Sequence, residues 1–122
     1  METPLTHQET LQFAEVYLSD IAPLKTIFFQ AFPKNRDITP AFGVPFLIAK
    51  KENKTVAFAS FILNSKDKID FNIYNSEPVM TDEEKLIFVS FVTDYIKKQD
   101  NGNYRNPEQL KNMINKLLQW LN

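Results

Sequence analysis

Apolar and polar positions alternate most regularly in the middle of the chain. The segments 46–51 (FLIAKK), 55–63 (TVAFASFIL) and 69–74 (IDFNIY) have strand length and are rich in aromatic and β-branched residues. Glu52-Asn53-Lys54 and Asn64-Ser65-Lys66-Asp67-Lys68 separate them. Neither linker can hold a crossover helix, so the three segments are predicted to form an antiparallel meander. In the third, Ile69, Phe71 and Ile73 point to one face and Asp70, Asn72 and Tyr74 to the other, as in a strand with one buried face. The second is apolar on both faces, with Val56, Phe58 and Ile62 on one and Ala57, Ala59, Phe61 and Leu63 on the other. It is therefore predicted at the centre of the sheet, covered on each side by helices or by a partner subunit.

The flanks carry helical periodicity. Thr6 and Glu9 are spaced as a capping box, and Leu11, Ala14 and Leu18 recur at helical intervals, so a helix is expected over 6–19. Asp20 is placed to cap a second helix over 21–32, with Pro23 in its first turn, a stripe of Leu24, Ile27, Phe28, Ala31 and Phe32, and Pro33 as its stop. The connection 34–44 reads as irregular, and 77–80 as a loop. Thr81 and Glu84 form another capping box, with acids in the first turn as the helix dipole favours. A helix is expected there over 81–99. Its segment 86–92 (LIFVSFV) is apolar nearly all round and would by itself suit a strand; the cap, the length, and Lys97 and Lys98 favour a helix. After a turn at 100–103, Asn106 and Pro107 open a last helix whose stripe is Leu110, Ile114, Leu117 and Leu121, with Met113 and Trp120 beside it. The expected fold class is α+β: two N-terminal helices, a three-stranded antiparallel meander and two C-terminal helices, in one domain spanning 1–122.

Composition removes several chemistries. The 14 basic residues nearly balance the 15 acidic ones, which gives no overall pull toward nucleic acid or a membrane surface. No apolar run approaches the ~20 residues of a membrane span, and METPLTHQET lacks the pattern of a signal peptide, so a cytoplasmic protein is expected. There is no cysteine, and His7 is the one histidine, so neither a His/Cys metal site nor a Ser-His-Asp or Cys-His centre is expected. Gly43 and Gly102 are too far apart to write a phosphate-binding glycine loop. Asp82, Glu83 and Glu84 could hold Mg²⁺ or Ca²⁺, but a helix start accounts for them without a metal. Between 34 and 54, Lys34, Arg36, Lys50, Lys51 and Lys54 outnumber Asp37 and Glu52; this basic excess could meet a phosphate or an acidic partner, or be a solvated edge strand and loop. Phe28, Phe29 and Phe32 share one side of the second helix. Phe28 and Phe29 are adjacent and cannot both face the same core, so one is expected to be exposed, in a pocket or at an interface.

The stretch FLIAKKENKTVAFASFI, the third strand at 68–75, the helix at 24–32 and the helix at 81–99 together resemble the GNAT superfamily of acyl-CoA N-acyltransferases. Ala57 stands where that family commonly has Gly. The resemblance implies an acyl-CoA site beside the third strand, with backbone amides near Ile73 and Tyr74 meeting the thioester carbonyl and the helix start at Thr81 meeting the phosphates. The chain departs from the family at Pro78-Val79-Met80-Thr81-Asp82-Glu83-Glu84, where the pyrophosphate-binding motif would lie: there is neither Gly nor Arg, and three carboxylates would repel phosphate. It also ends in a helix where the family supplies two further strands and a catalytic Tyr, and the spacing of Tyr104 does not assign it that role.

The expected function is therefore a non-catalytic binding module, a degenerate relative of such enzymes, for a protein or small-molecule partner and with no cofactor. The alternative is an N-acyltransferase using acetyl-CoA through an atypical phosphate site. Candidate ligand-binding residues are Phe28, Phe32, Ile73, Tyr74, Asn75 and Thr81; no catalytic residue or metal ligand is assigned. Losing the later strands would leave the third strand as an edge, which the last helix covers or a second copy pairs with to give a homodimer.

Overall fold

The meander forms as its short linkers require. In the computed structural model, which describes residues 11–76, 80–98 and 106–122, β2 (Val44–Lys51), β3 (Lys54–Leu63) and β4 (Ile69–Asn75) pair antiparallel in sequence. Glu52 and Asn53 both take positive φ, 54° and 66°, so β2 and β3 meet in a tight hairpin turn whose twist matches that of the strands. The β3–β4 turn is held by the Asn64 side-chain oxygen, which accepts from the Lys66 and Lys68 amides.

A fourth strand, β1 (Leu11–Glu15), pairs with the outer edge of β2, giving the order β1-β2-β3-β4. This corrects the helix expected over 6–19; its capping residues Thr6 and Glu9 lie outside the described residues. Leu11 and Phe13 are half-buried while Gln12 and Ala14 are exposed, a period of two. Phe13 stacks on Phe88 and Phe91 at 5.5 and 4.5 Å between ring centres, and Leu18, counted in the helical stripe, is 75% exposed. A helix at these residues would have left the edge of β2 without its partner. Asp20 stands at the expected cap position, but its carboxylate accepts from the Tyr17 amide at 2.8 Å and makes no cap bond into the helix that follows.

The described residues thus hold four strands and three helices, where three strands and four helices were expected. The helices are α1 (Ile21–Ala31), α2 (Asp82–Lys98) and α3 (Pro107–Leu121), close to their predicted bounds, with Asn106 capping α3 through the Glu108 amide. As the two-sided pattern of β3 demands, both faces of the sheet are covered. On one face, Ile21, Leu24, Ile27 and Phe28 of α1 pack with Ile48, Phe58 and Tyr74, and α3 adds Leu117, Leu118 and Leu121. On the other, Phe88 and Val92 of α2 pack on Leu47, Ala49, Ala57 and Ala59. The three alanines leave room there for the Phe88 ring. The connection after α1 carries Ile38 and Phe42 into the first core, an apolar contribution that its irregular pattern hid. The closest sheet neighbours of α3 are β2 and β3, so it does not serve as the cover expected for β4. Among the described residues, no helix is long and apolar enough to cross a membrane.

Candidate functional site at the β4 edge

Among the described residues β4 is an edge strand, and its ladder fixes which backbone groups face outward. The Ser76 amide donates to the Val56 carbonyl and the Asn64 amide to the Lys68 carbonyl. In an antiparallel pair such bonds recur every second residue, so Asp70, Asn72 and Tyr74 direct their backbone groups to β3. Ile69, Phe71 and Ile73 direct theirs away from it. The Asp70 carboxylate accepts from the Phe71 amide at 2.8 Å and so shields one of these edge donors.

Two depressions flank this edge on opposite faces. On the α1 side, a cavity of about 520 Å³ is lined by Gln30, Ala31, Ile73, Tyr74 and Asn75, where the last turn of α1 meets the end of β4. On the α2 side, a smaller groove of about 290 Å³ is lined by Phe61, Ile69, Asp70, Phe71, Thr93, Ile96 and Lys97, and its walls are almost wholly apolar.

The structure brings together Ile73, Tyr74 and Asn75 of the expected ligand residues. Phe32, at the C-cap of α1, lies near them, with its ring 6.1 Å from that of Tyr74. Phe28 is fully buried and packs against Phe42, Tyr74 and Phe32, so its role is in the core. Phe29 is the half-buried member of the adjacent pair, at the margin of the same core. Thr81 begins α2 on the opposite face of the sheet and is not part of the α1-side cavity. Gln30, Thr93 and Ile96 were not named from the sequence, and Ala31 and Lys97 only as parts of helix patterns. They belong to helix faces whose neighbours only the tertiary fold reveals.

Several titratable groups are engaged in structural bonds. The Tyr74 hydroxyl donates to the Ala41 carbonyl at 2.6 Å and accepts from the Asn72 amide at 3.3 Å. Burial pushes it above the ordinary tyrosine value, against a smaller pull downward from Asn72. At the start of α2, the Thr81 amide donates to the Glu84 carboxylate and the Thr81 hydroxyl accepts from the Glu84 amide, both at 3.0 Å, which realises the expected capping box. Burial raises the Glu84 carboxyl, but the bonds from Thr81 and the Lys51 ammonium at 3.1 Å outweigh it and hold it below the usual range. Lys50 lies 3.9 Å from Asp20. Part of the basic excess at 34–54 is therefore turned toward the protein's own acids. The Ser60 hydroxyl is buried in β3 with no hydrogen-bond partner among the described residues, and it lines neither of the two depressions. Among the described residues, no group of His, Cys, Asp and Glu could hold a metal ion.

Compared with protein-family models, with curated proteins and with solved structures, the chain matches none.

Proposed function

We propose that the protein is a non-catalytic binding module whose working surface is the outer edge of β4. The observation that carries this reading is the pairing of a strand edge that has no partner strand among the described residues with a depression on each face, one mixed in polarity and one apolar. Strand addition uses such an arrangement. Backbone hydrogen bonds supply affinity, and pockets for alternate side chains supply selectivity. The ligand under this reading is a protein segment, and no cofactor takes part.

A second reading is an acyltransferase-like domain that takes acetyl-CoA. One observation favours it: the outward backbone of Ile73 borders the α1-side cavity, the place where the GNAT resemblance would set a thioester carbonyl. The start of α2 weighs against it. The amide of Glu84 is occupied by the Thr81 hydroxyl, the Thr81 amide by Glu84, and Asp82 and Glu83 add negative charge in the same turn. A phosphate there would meet repulsion in place of open donors.

Isothermal titration of the protein with acetyl-CoA separates the two readings. The binding-module reading expects no heat of binding at millimolar ligand. A micromolar dissociation constant would overturn it and direct the search to an amine acceptor.

A further inference from the structure

We infer that the outer edge of β4 is a self-association site. There, β4 of a second copy pairs antiparallel with Phe71 opposite Phe71, and Lys68 of each copy enters the cavity at the end of the other's α1. This inference rests on the binding-module reading and names the occupant of its surface.

The argument begins with the register. Ile69, Phe71 and Ile73 carry the outward backbone groups, so two-fold pairing of this edge must set odd-numbered residues opposite odd-numbered ones. Five such registers centre on the middle of the strand. Centred on Asn72, the pairing sets Ile69 against Asn75; centred on Asp70, it sets Ile73 against Asp67 and Asp70 against its own copy. Centred on Ile73, the pairing sets Phe71 against Asn75; centred on Ile69, it sets Phe71 against Asp67. Centred on Phe71, it sets Ile69 against Ile73 and Phe71 against its own copy, all beside the apolar groove on the α2 face. The other face then sets Asp70 against Asn72 and Lys68 against Tyr74. Of the five, the Phe71 register alone places apolar against apolar on one face and polar against polar on the other, the criterion by which strands choose a register.

Lys68 supplies charge complementarity. Its side chain is exposed, and in this register it lies across from Tyr74, on the face of the 520 Å³ cavity. That cavity is bounded by Gln30 and Ala31 in the last turn of α1, a turn with no basic residue of its own. The unsatisfied carbonyls of a helix C-terminus favour a cation, and the ammonium of a second copy meets that need.

Two features keep the association modest. Asp70 occupies the Phe71 amide and must rotate away before the central bonds form. Lys97 rims the groove in each copy and sets like charges near the axis. A single strand pair with its flanking side chains is a small interface, and micromolar dissociation is expected.

The chain contains no cysteine, so introduced thiols report the register cleanly. Asp70 is exposed and Asn72 half-buried, and in the Phe71 register each faces the other across the axis at a separation a disulfide spans. Oxidising an equal mixture of Asp70→Cys and Asn72→Cys is expected to give a crossed dimer in clear excess over either variant oxidised alone. Sedimentation of the unmodified protein gives an independent readout. It is expected to show a concentration-dependent dimer, weakened roughly two- to fivefold by Lys68→Ala, as a lost helix-terminus charge predicts. Asp70→Ala is expected to tighten it roughly fivefold by releasing the edge amide. An unmodified protein that is monomeric at about 100 µM, well above the expected micromolar constant, overturns the inference. So does a mixture that yields no more crossed dimer than the single variants. Neither result touches the binding-module reading, which the acetyl-CoA titration tests separately.

Discussion

Gly43 shows what one residue contributes to this fold. It sits between the turn Pro40–Phe42 and β2 at φ 65° and ψ −156°, a conformation open essentially to glycine alone. A Cβ on it would collide with the carbonyl oxygen of Phe61 and crowd the side chain of Ile62. Backbone strain and the clash act together, so Gly43→Ala is expected to cost about 2–4 kcal/mol, read as a lower urea midpoint at unchanged slope. A midpoint within error of the parent would show that the backbone can move away from β3. From the sequence, Gly43 marks only an irregular connection. Nothing local announces that β3 passes within contact distance, because that approach depends on pairing between residues far apart in the chain. Ile38 and Phe42 were hidden for a related reason. Apolar residues in a connection have no periodicity to reveal them, although both are buried in the first core.

At the scale of elements, legibility followed the strength of local signals. The capping box at Thr81 and Glu84 is local, and α2 begins where it indicates. β1 carries only five residues, and its Leu11 and Ala14, with Leu18 beyond its end, match a helical interval by coincidence. Its state is decided by the edge of β2, which lies more than thirty positions further along the chain. The capping box also makes the stability of α2 depend on pH. Because the folded state holds the Glu84 carboxyl below its ordinary value, the unfolded chain takes up a proton first as pH falls. The contribution of Glu84 is therefore complete above about pH 5, just above the ordinary glutamate value, and is lost as pH falls through the lower folded value. Glu84→Gln is expected to be less stable than the parent at pH 7, and the gap is expected to narrow as pH falls below the ordinary glutamate value, in paired urea titrations. A gap that does not narrow on the acid side of the ordinary glutamate value would assign the loss to packing rather than to charge. Thr81→Ala removes the hydroxyl acceptor and is expected to cost about 1 kcal/mol with less dependence on pH.

At the scale of the whole molecule, the two apolar faces of β3 already required a covered sheet, and α1 with α3 on one side and α2 on the other supply that cover. The edges were only half readable: the third segment of the meander has no later strand to pair with among the described residues, but the first, expected at the other edge, is paired with β1. The depressions beside β4 were not readable, because each joins a strand to a helix distant in sequence. The layout predicts an order of amide exchange. β2 and β3 are bonded on both edges and buried on both faces, so their amides open only when the sheet comes apart. Phe58 in β3 is expected to be among the slowest to exchange. The Ile73 amide projects from the edge of β4 and is expected to exchange through local events, orders of magnitude faster, in dilute protein. If two copies pair at this edge, Ile73 becomes protected as concentration rises while Phe58 does not change. Exchange measured by NMR at two concentrations reads both quantities in one experiment. An Ile73 amide as slow as Phe58 in dilute protein would mean that the chain's own residues cover the edge, and the binding surface would then have to lie elsewhere.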